Sequence, residues 1–457
     1  MNKRMMVLCF LLTLIVLGVV GCQDKEANKG IDYPTMVSKG ITEIDEYKTI
    51  PYMETNGNYL ETADYGNKDY VMFISETTME EYKAFVKKLS DVGFKKHSES
   101  DEEGLEGYSF AASFTKENLT VTISYSKGMG MTYISVSYNR PLSDHLIYKE
   151  DYVKNQKKEK TKLHMLQMTE SQGSSYIYEL KNGHFVVFDG GAPKESTNFI
   201  NYIKELTPEG EKPVIEAWFI SHSHNDHHGT MLDITQKSYL TNQLYVNGFY
   251  YVEPNEKHFS RLTTQSNKNG NTLVTRAYKM FKTEDGGTPE FYRPTIGQKY
   301  YFCDIEIDIS MTLEQIRYGQ YTGTDYNDTS TWFMCHIEGQ KFLFAGDSGQ
   351  DGCRTALTLY DSKYLTMDIF APFHHGINVY DFFSEKCTYD VILYNSFRAG
   401  SIWDTRADLA AVGQNNRLKA RAKEVYHYGD GSVVLTFPYV IGTAEIGEDW
   451  EDIYKTL

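Results

Sequence analysis

The chain has 457 residues, 41% of them hydrophobic and 36 of them tyrosine, which is enough apolar material for roughly two or three domains with cores of their own. Its formal net charge of -16 excludes a surface built to gather a long polyanion, because nucleic-acid readers cluster Lys and Arg to neutralise phosphates. Nucleic acid is therefore not expected as the preferred partner, although a small phosphoester held inside a pocket remains compatible with this charge.

Lys3 and Arg4 precede an apolar run over residues 5–20, which closes on Val19-Val20-Gly21-Cys22. This pattern resembles a bacterial lipoprotein signal with its lipobox. It implies a signal over residues 1–22, a lipidated Cys22, and a membrane-anchored protein on the extracytoplasmic face of the bacterial cell membrane. An uncleaved membrane anchor is the alternative, and it leads to the same side of the membrane. Residues 23–31 read as a polar tether. Beyond Cys9 and Cys22 the cysteines are Cys303, Cys335, Cys353 and Cys387, with no C-x-x-C spacing; isolated buried thiols and one or two bridges both fit.

Residues 32–150 read as a small α+β accessory domain. A strand over 69–75 leads to Thr78-Met79-Glu80-Glu81, a capping box that opens a helix. Tyr82, Phe85, Val86, Leu89 and Val92 recur at helical spacing, and Gly93 stands where a helix stops. Residues 108–114, 119–125 and 132–138 alternate apolar and polar side chains, as half-buried antiparallel strands do. No ligand cluster occurs in this unit, and it is expected to fold by itself. The basic run over 154–162 reads as a solvated linker.

A second domain is expected over residues 160–440. Strands over 163–168 and 174–180 lead through Asn182-Gly183, a hairpin signal, to a strand over 184–188 that ends in Asp189-Gly190-Gly191. A helix over 195–206 and a buried strand over 214–220 follow. Strand and helix alternate, the mark of a layered α/β domain.

The strand over 214–220 runs into Ser221-His222-Ser223-His224-Asn225-Asp226-His227-His228-Gly229. Neutral imidazole is the commonest nitrogen ligand for zinc, and a carboxylate can bridge ions or orient water. In extended backbone His222 and His224 point to one side, so both can grip one ion. Asp226 and His227 follow after the chain turns, in what reads as a loop, with Gly229 permitting the turn and a helix over 230–236 after it. Further on, residues 244–251 look strand-like and 272–281 helical. Residues 341–345 form an apolar strand ending in Gly346-Asp347-Ser348-Gly349, and residues 368–373 lead to His374-His375-Gly376. A strand over 390–395, a helix over 408–422 and a closing hairpin over 424–437 complete the domain, ahead of an acidic tail over 441–457. A lone histidine in that hairpin, His427, reads as structural.

The H-S-H-N-D-H-H-G stretch resembles the H-x-H-x-D-H-x-G signature of the metallo-β-lactamase fold, a large hydrolase superfamily. The strand-terminal Asp189-Gly190 resembles the family's first motif, whose carboxylate supports the histidine loop by hydrogen bonds. Gly346-Asp347 resembles the strand-terminal Gly-Asp whose carboxylate bridges two metals. His374-His375-Gly376, with Pro372 one residue further upstream than usual, is similar to the Pro-His-His-Gly form of the domains attached to bacterial DNA-uptake channels. The family's intervening histidine has no clear counterpart: His258 and His336 are the only histidines in that interval, and Asn327-Asp328-Thr329-Ser330 resembles an Asn- and Ser-containing stretch of the DNA-uptake domains.

The resemblance implies an α/β fold of the αββα sandwich type, and a metal-dependent hydrolase using a metal-activated water. It implies one or two zinc ions, with manganese as the alternative. His222 and His224, with one of His374 and His375, would hold one ion; Asp226 and His227 would hold the other, with Asp347 between them. Asp226 would also orient or deprotonate the nucleophile, and Asn327, Asp328 or water would fill the missing position. The substrate class implied is a phosphodiester, small or surface-tethered given the chain's charge. A carbonyl-directed hydrolase acting on a lactone, thioester or β-lactam, and a binding lipoprotein whose metal is structural, are the alternatives.

Overall fold

The computed structural model describes residues 45–66, 68–147, 156–169, 173–254, 272, 274–319, 326–396 and 410–447. The signal-like run, Cys22, the tether, His258 and the end of the acidic tail lie outside the described residues. Among the described residues no helix is long and apolar enough to cross a membrane.

The N-terminal unit is a six-stranded antiparallel sheet carrying one helix. Its strands are β1 (Asn58–Gly66), β2 (Asp69–Ser75), β3 (Lys95–Glu99), β4 (Ser109–Lys116), β5 (Leu119–Ser126) and β6 (Met131–Tyr138), in the order β1-β2-β6-β5-β4-β3. The helix Met79–Asp91 starts at Thr78 with both halves of the capping box formed, and it buries Tyr82, Phe85, Val86 and Leu89. These side chains share a core with Phe110, Val121, Ile123 and Val136, the apolar face of the sheet.

Over its central strands the other face of this sheet is not solvated, contrary to the half-buried expectation. All eight residues of β5 are buried. Val71, Phe73, Met131 and Tyr133 share a core with Trp332, Met334 and Leu359 of the following domain, and Gln298 donates to Ser113 (3.3 Å). Alternation in a strand reports that one face is polar; it does not report whether that face meets water or a neighbouring domain.

The second domain is a sandwich of two sheets. One gathers strands over residues 162–292 and 433–446, the other strands over residues 299–427. In the first, β7 (Lys162–Met165), β8 (Ser175–Glu179) and β9 (Phe185–Asp189) form the expected meander, and β10 (Val214–Ile220), β11 (Tyr245–Val246), β12 (Gly248–Tyr251) and β13 (Glu290–Tyr292) continue it in parallel. In the second, β14 (Lys299–Phe302), β15 (Ile305–Met311), β16 (Trp332–Ile337) and β17 (Gln340–Phe344) are antiparallel, whereas β18 (Ile369–Phe370), β19 (Val391–Tyr394) and β20 (Glu424–His427) run parallel to β17.

Aromatic side chains join the two sheets: Phe188 lies 5.1 Å from Phe333 and 5.7 Å from Phe344 by ring centroids. The helices lie outside. Phe199 of the helix Ser196–Leu206 stacks on Trp218, and Ala356, Leu359 and Leu418 from the helices Gln350–Leu359 and Ala410–Lys419 cover the second sheet. This is the αββα architecture expected.

The closing hairpin expected over 424–437 does not form. β20 lies at the edge of the second sheet, while β21 (Val433–Thr436) joins the first, between β7 and β22 (Glu445–Ile446). The short 3-10 turn Tyr428–Asp430, followed by Gly431 at φ +116°, redirects the chain from one sheet to the other. The tail thus contributes a strand at Glu445–Ile446. The four cysteines Cys303, Cys335, Cys353 and Cys387 are buried and unbridged.

Candidate metal centre

Parallel strands of both sheets end at one edge of the sandwich, and each delivers a polar side chain there: Asp189 at the end of β9, the histidine stretch after β10, Asp347 after β17, and the paired histidines after β18. Carboxyl ends of parallel strands are where open α/β sheets gather their ligands.

Asp189 is fully buried and holds the histidine stretch from behind. Its carboxylate accepts from the Ser221 backbone N–H (2.7 Å), the Ser221 hydroxyl (2.8 Å) and Nδ1–H of His227 (2.6 Å). It joins no ligand group. Asp226 and His227 are helical residues, not loop residues: the helix Asn225–Gln236 starts directly after His224, ahead of the expected start at residue 230. Gly229 lies inside that helix. A Cβ there would meet the Pro193 ring at 2.5 Å, so glycine is required for close packing and not for a turn.

Two groups of ligand atoms converge on Asp347. Asp226, His227, His375 and Asp347 present atoms all within 4.8 Å of one another, as do His222, His224 and Asp347. The two oxygens of Asp347 divide the histidines. Oδ1 lies 2.9 Å from His227 Nε2 and 3.5 Å from His375 Nε2; Oδ2 lies 3.7 Å from His222 Nε2 and 3.6 Å from His374 Nε2. The fifth-motif histidine expected beside His222 and His224 is thus split: His375 stands with Asp226 and His227, at 3.1 Å from the Asp226 carboxylate.

Each of these rings is held by its other nitrogen. His222 Nδ1 lies 3.1 Å from the Ser221 hydroxyl, His227 Nδ1 donates to Asp189, His375 Nδ1 donates to the Asn395 carbonyl (3.0 Å), and His374 Nδ1 lies 3.5 Å from the Asn327 amide nitrogen. Fixing Nδ1 in this way orients Nε2 as a ligand atom. Asn395 and Ser221 carried no signal in the sequence, since their part is played by a backbone carbonyl and a short hydroxyl; the strand-end position of Asn395 was the one available hint.

Electrostatics describe a site short of positive charge. Burial disfavours ionisation of Asp347, yet His227, His375 and His374 beside it hold its carboxyl well below the usual range. Burial likewise opposes a charge on His227, but Asp347, Asp189 and Asp226 outweigh it and raise that imidazole well above its ordinary value. His222 is driven the other way, by burial and by the neighbouring His227 charge. Its Nε2 is buried without a hydrogen-bond partner. Two carboxylates, several aligned Nε2 atoms and a buried orphan nitrogen fit a bound dication of the zinc type.

The remaining candidates stand elsewhere. Asn327 is buried beside His374, outside both groups. The Asp328 carboxylate lies against Gly349, where a Cβ would approach it to 2.4 Å. His336 pairs with Asp308 (2.9 Å) in a third group with Glu306, and that group already has a cation, Lys299, at 3.0 Å from Glu306. His427 stacks on Tyr394 (4.7 Å, 6° between planes).

Residues 168–379 match the family model described as the metallo-beta-lactamase superfamily. The fold of this stretch is that of the metallo-β-lactamase superfamily. No curated protein matches the chain. Among solved structures, the metallo-β-lactamase fold protein YhfI from Bacillus subtilis is 11% identical over 58% of this chain and 96% of its own, with a TM-score of 0.34. Zn(2+)-bound PqqB from Methylobacterium extorquens is 9% identical over 58% and 97%, with a TM-score of 0.36. A Cronobacter sakazakii metallo-β-lactamase with a HARLDQ motif is 15% identical over 38% and 56%, with a TM-score of 0.24.

Proposed function

We propose that the chain is a metal-dependent hydrolase acting on a small or surface-tethered phosphodiester, anchored through a lipidated Cys22 on the extracytoplasmic face of the cell membrane. The observation that carries the hydrolytic reading is the sharing of Asp347 between two ligand groups, one oxygen to each. Paired cation sites of this kind suit in-line displacement at phosphorus.

His222 and His224 would serve one ion, and Asp226, His227 and His375 the other. When bound, such ions acidify water and polarise the electrophile. The protein's own contribution is orientation. Ser221, Asp189 and Asn395 fix the rings before any substrate arrives, so little reorganisation is needed at the reacting centre. Most of the cluster is closed to solvent: His222, His227 and His375 are fully buried, and Asp347 is 3% exposed. Asp226 and His374 are each 22% exposed and form the mouth. A substrate reaching the floor therefore passes the Asp226 carboxylate, which would accept a proton from an attacking water.

The preference for phosphodiesters draws on the Gly-Asp-Ser-Gly and His-His-Gly segments and on their likeness to the DNA-uptake branch. The net charge of -16 opposes approach of a long polyanion and favours a compact substrate whose phosphate meets only the pocket. The expected result is turnover of an aryl phosphodiester by the full-length chain, stimulated by zinc or manganese, lost on Asp347→Ala, and weak on duplex DNA. Cleavage of a lactone, thioester or β-lactam without phosphodiester turnover would overturn the substrate class. Anchoring is tested separately by labelling with radioactive palmitate, which Cys22→Ala should abolish.

A further inference from the structure

We propose that His374 is the third protein ligand of the His222–His224 subsite, and that this subsite is the weaker of two, filled only after the Asp226–His227–His375 subsite. The inference rests on the metal-centre reading above and goes further, to the ligand set and the order of filling.

Three observations carry it. The first is the division of Asp347: among the described residues, Oδ2 is faced by the Nε2 atoms of His222 and His374, and Oδ1 by those of His227 and His375. The second is backbone geometry. His374 (φ +50°, ψ +52°) and His375 (φ +56°, ψ +19°) are consecutive left-handed residues, a conformation that side chains with a Cβ adopt at a penalty. In extended chain, adjacent side chains point to opposite sides. The left-handed pair instead turns both imidazoles onto one carboxylate, with ring centroids 5.9 Å apart. Strain kept at this point is explained if both rings are ligands. The third is the Asn327 amide at His374 Nδ1. With that amide turned so that its carbonyl accepts the Nδ1 proton, Nε2 is left as the donor atom, which is the arrangement already seen at His227 and His375.

The order of filling follows from charge. The Asp226–His227–His375 group has a carboxylate of its own besides its share of Asp347, and both of its imidazoles are fully buried. The His222–His224 group has only its share of Asp347, and His374 beside it opens to solvent. Attraction for a dication is stronger where the donor set carries more negative charge and less water.

The test is a zinc titration of the metal-stripped full-length chain, followed by metal counting on the dialysed protein. The wild type should take up about two equivalents in two phases, the number expected of a paired site. His374→Ala should keep the tight phase and lose the weak one, leaving about one equivalent. His374→Asn, which tolerates left-handed backbone, should do the same and guards against a misfolded Ala variant. His375→Ala should weaken the tight phase. If His374→Ala and His374→Asn both retain two equivalents while turnover falls, His374 is a substrate contact and the proposal is wrong. Loss of the weak phase on His258→Ala with His374→Ala unaffected would assign the position to His258 and overturn it equally. A wild type that binds one equivalent overturns the paired filling alone, whereas a wild type that binds none overturns the metal-centre reading itself.

Discussion

Asp189 stands outside both ligand groups, yet its carboxylate satisfies two donors of Ser221 and one of His227 in a region without solvent. Removing it strands three buried donors. Asp189→Ala should lower stability by about 1–3 kcal/mol or more, since unsatisfied buried groups carry that penalty, and should weaken zinc binding by roughly 10–100-fold, as loss of an orienting partner does. Thermal unfolding and competition with a chromogenic chelator read the two effects. The paired change Asp226→Ala with His227→Ala is expected to lower stability as well. His227 is fully buried in the first turn of a helix and tied to Asp189. Asp226→Asn by itself keeps the residue's shape but removes a ligand charge, so it reports on proton transfer only where a metal count on the same variant shows the site still filled.

At the scale of elements, close approach governs the site. The helix Asn225–Gln236 can carry Asp226 and His227 toward Asp347 only because Gly229 lets the Pro193 ring pack against it. Gly229→Ala should therefore lower stability by about 1–3 kcal/mol, the usual penalty for forcing extra volume into a packed contact. It should also reduce zinc affinity although no ligand is altered; equal affinity at lower stability would show the helix shifting without moving its first turn. A second approach joins the sheets: at Gly346 (φ +52°) a Cβ would lie 2.7 Å from Ser221 Oγ and 2.9 Å from Ser330 Oγ, so the strand-terminal glycine ahead of Asp347 permits the contact of the two sheet edges.

Across the whole molecule, the N-terminal unit is part of the hydrolase-like domain's packing. Arg140 pairs with Asp69 of the same unit and with Glu253 of the next domain (2.6 Å), and Arg293 links Glu253 (3.6 Å) to Glu314. These side chains are at most 13% exposed. Arg140→Ala leaves Asp69 buried without its cation and Glu253 with Arg293 alone, and about 3–5 kcal/mol should be lost, as when one partner of a buried pair is removed; urea unfolding measures this. Residues 30–150 produced alone should lack a cooperative transition, because Val71, Phe73, Met131 and Tyr133 lose the apolar neighbours that the second domain supplies. A sharp two-state melt of that fragment, without dye binding to exposed apolar surface, would refute the shared core.

The helix of the N-terminal unit, the meander ahead of Asp189, the strand ahead of His222 and the αββα class were all legible in the chain, because caps, hairpin turns and buried strands are written in residues close together. The identity of the candidate ligands was legible for the same reason: imidazoles and carboxylates follow strand ends in short runs. Their grouping was not. Whether His374 or His375 stands with His222 depends on which oxygen of Asp347 each ring meets, and that is decided by left-handed backbone at two adjacent residues and by the approach of one sheet to the other. The buried polar face of β5 and the passage of residues 424–437 between sheets were hidden likewise, since a period of two in a strand says what a face is made of and leaves the choice of neighbour to tertiary packing.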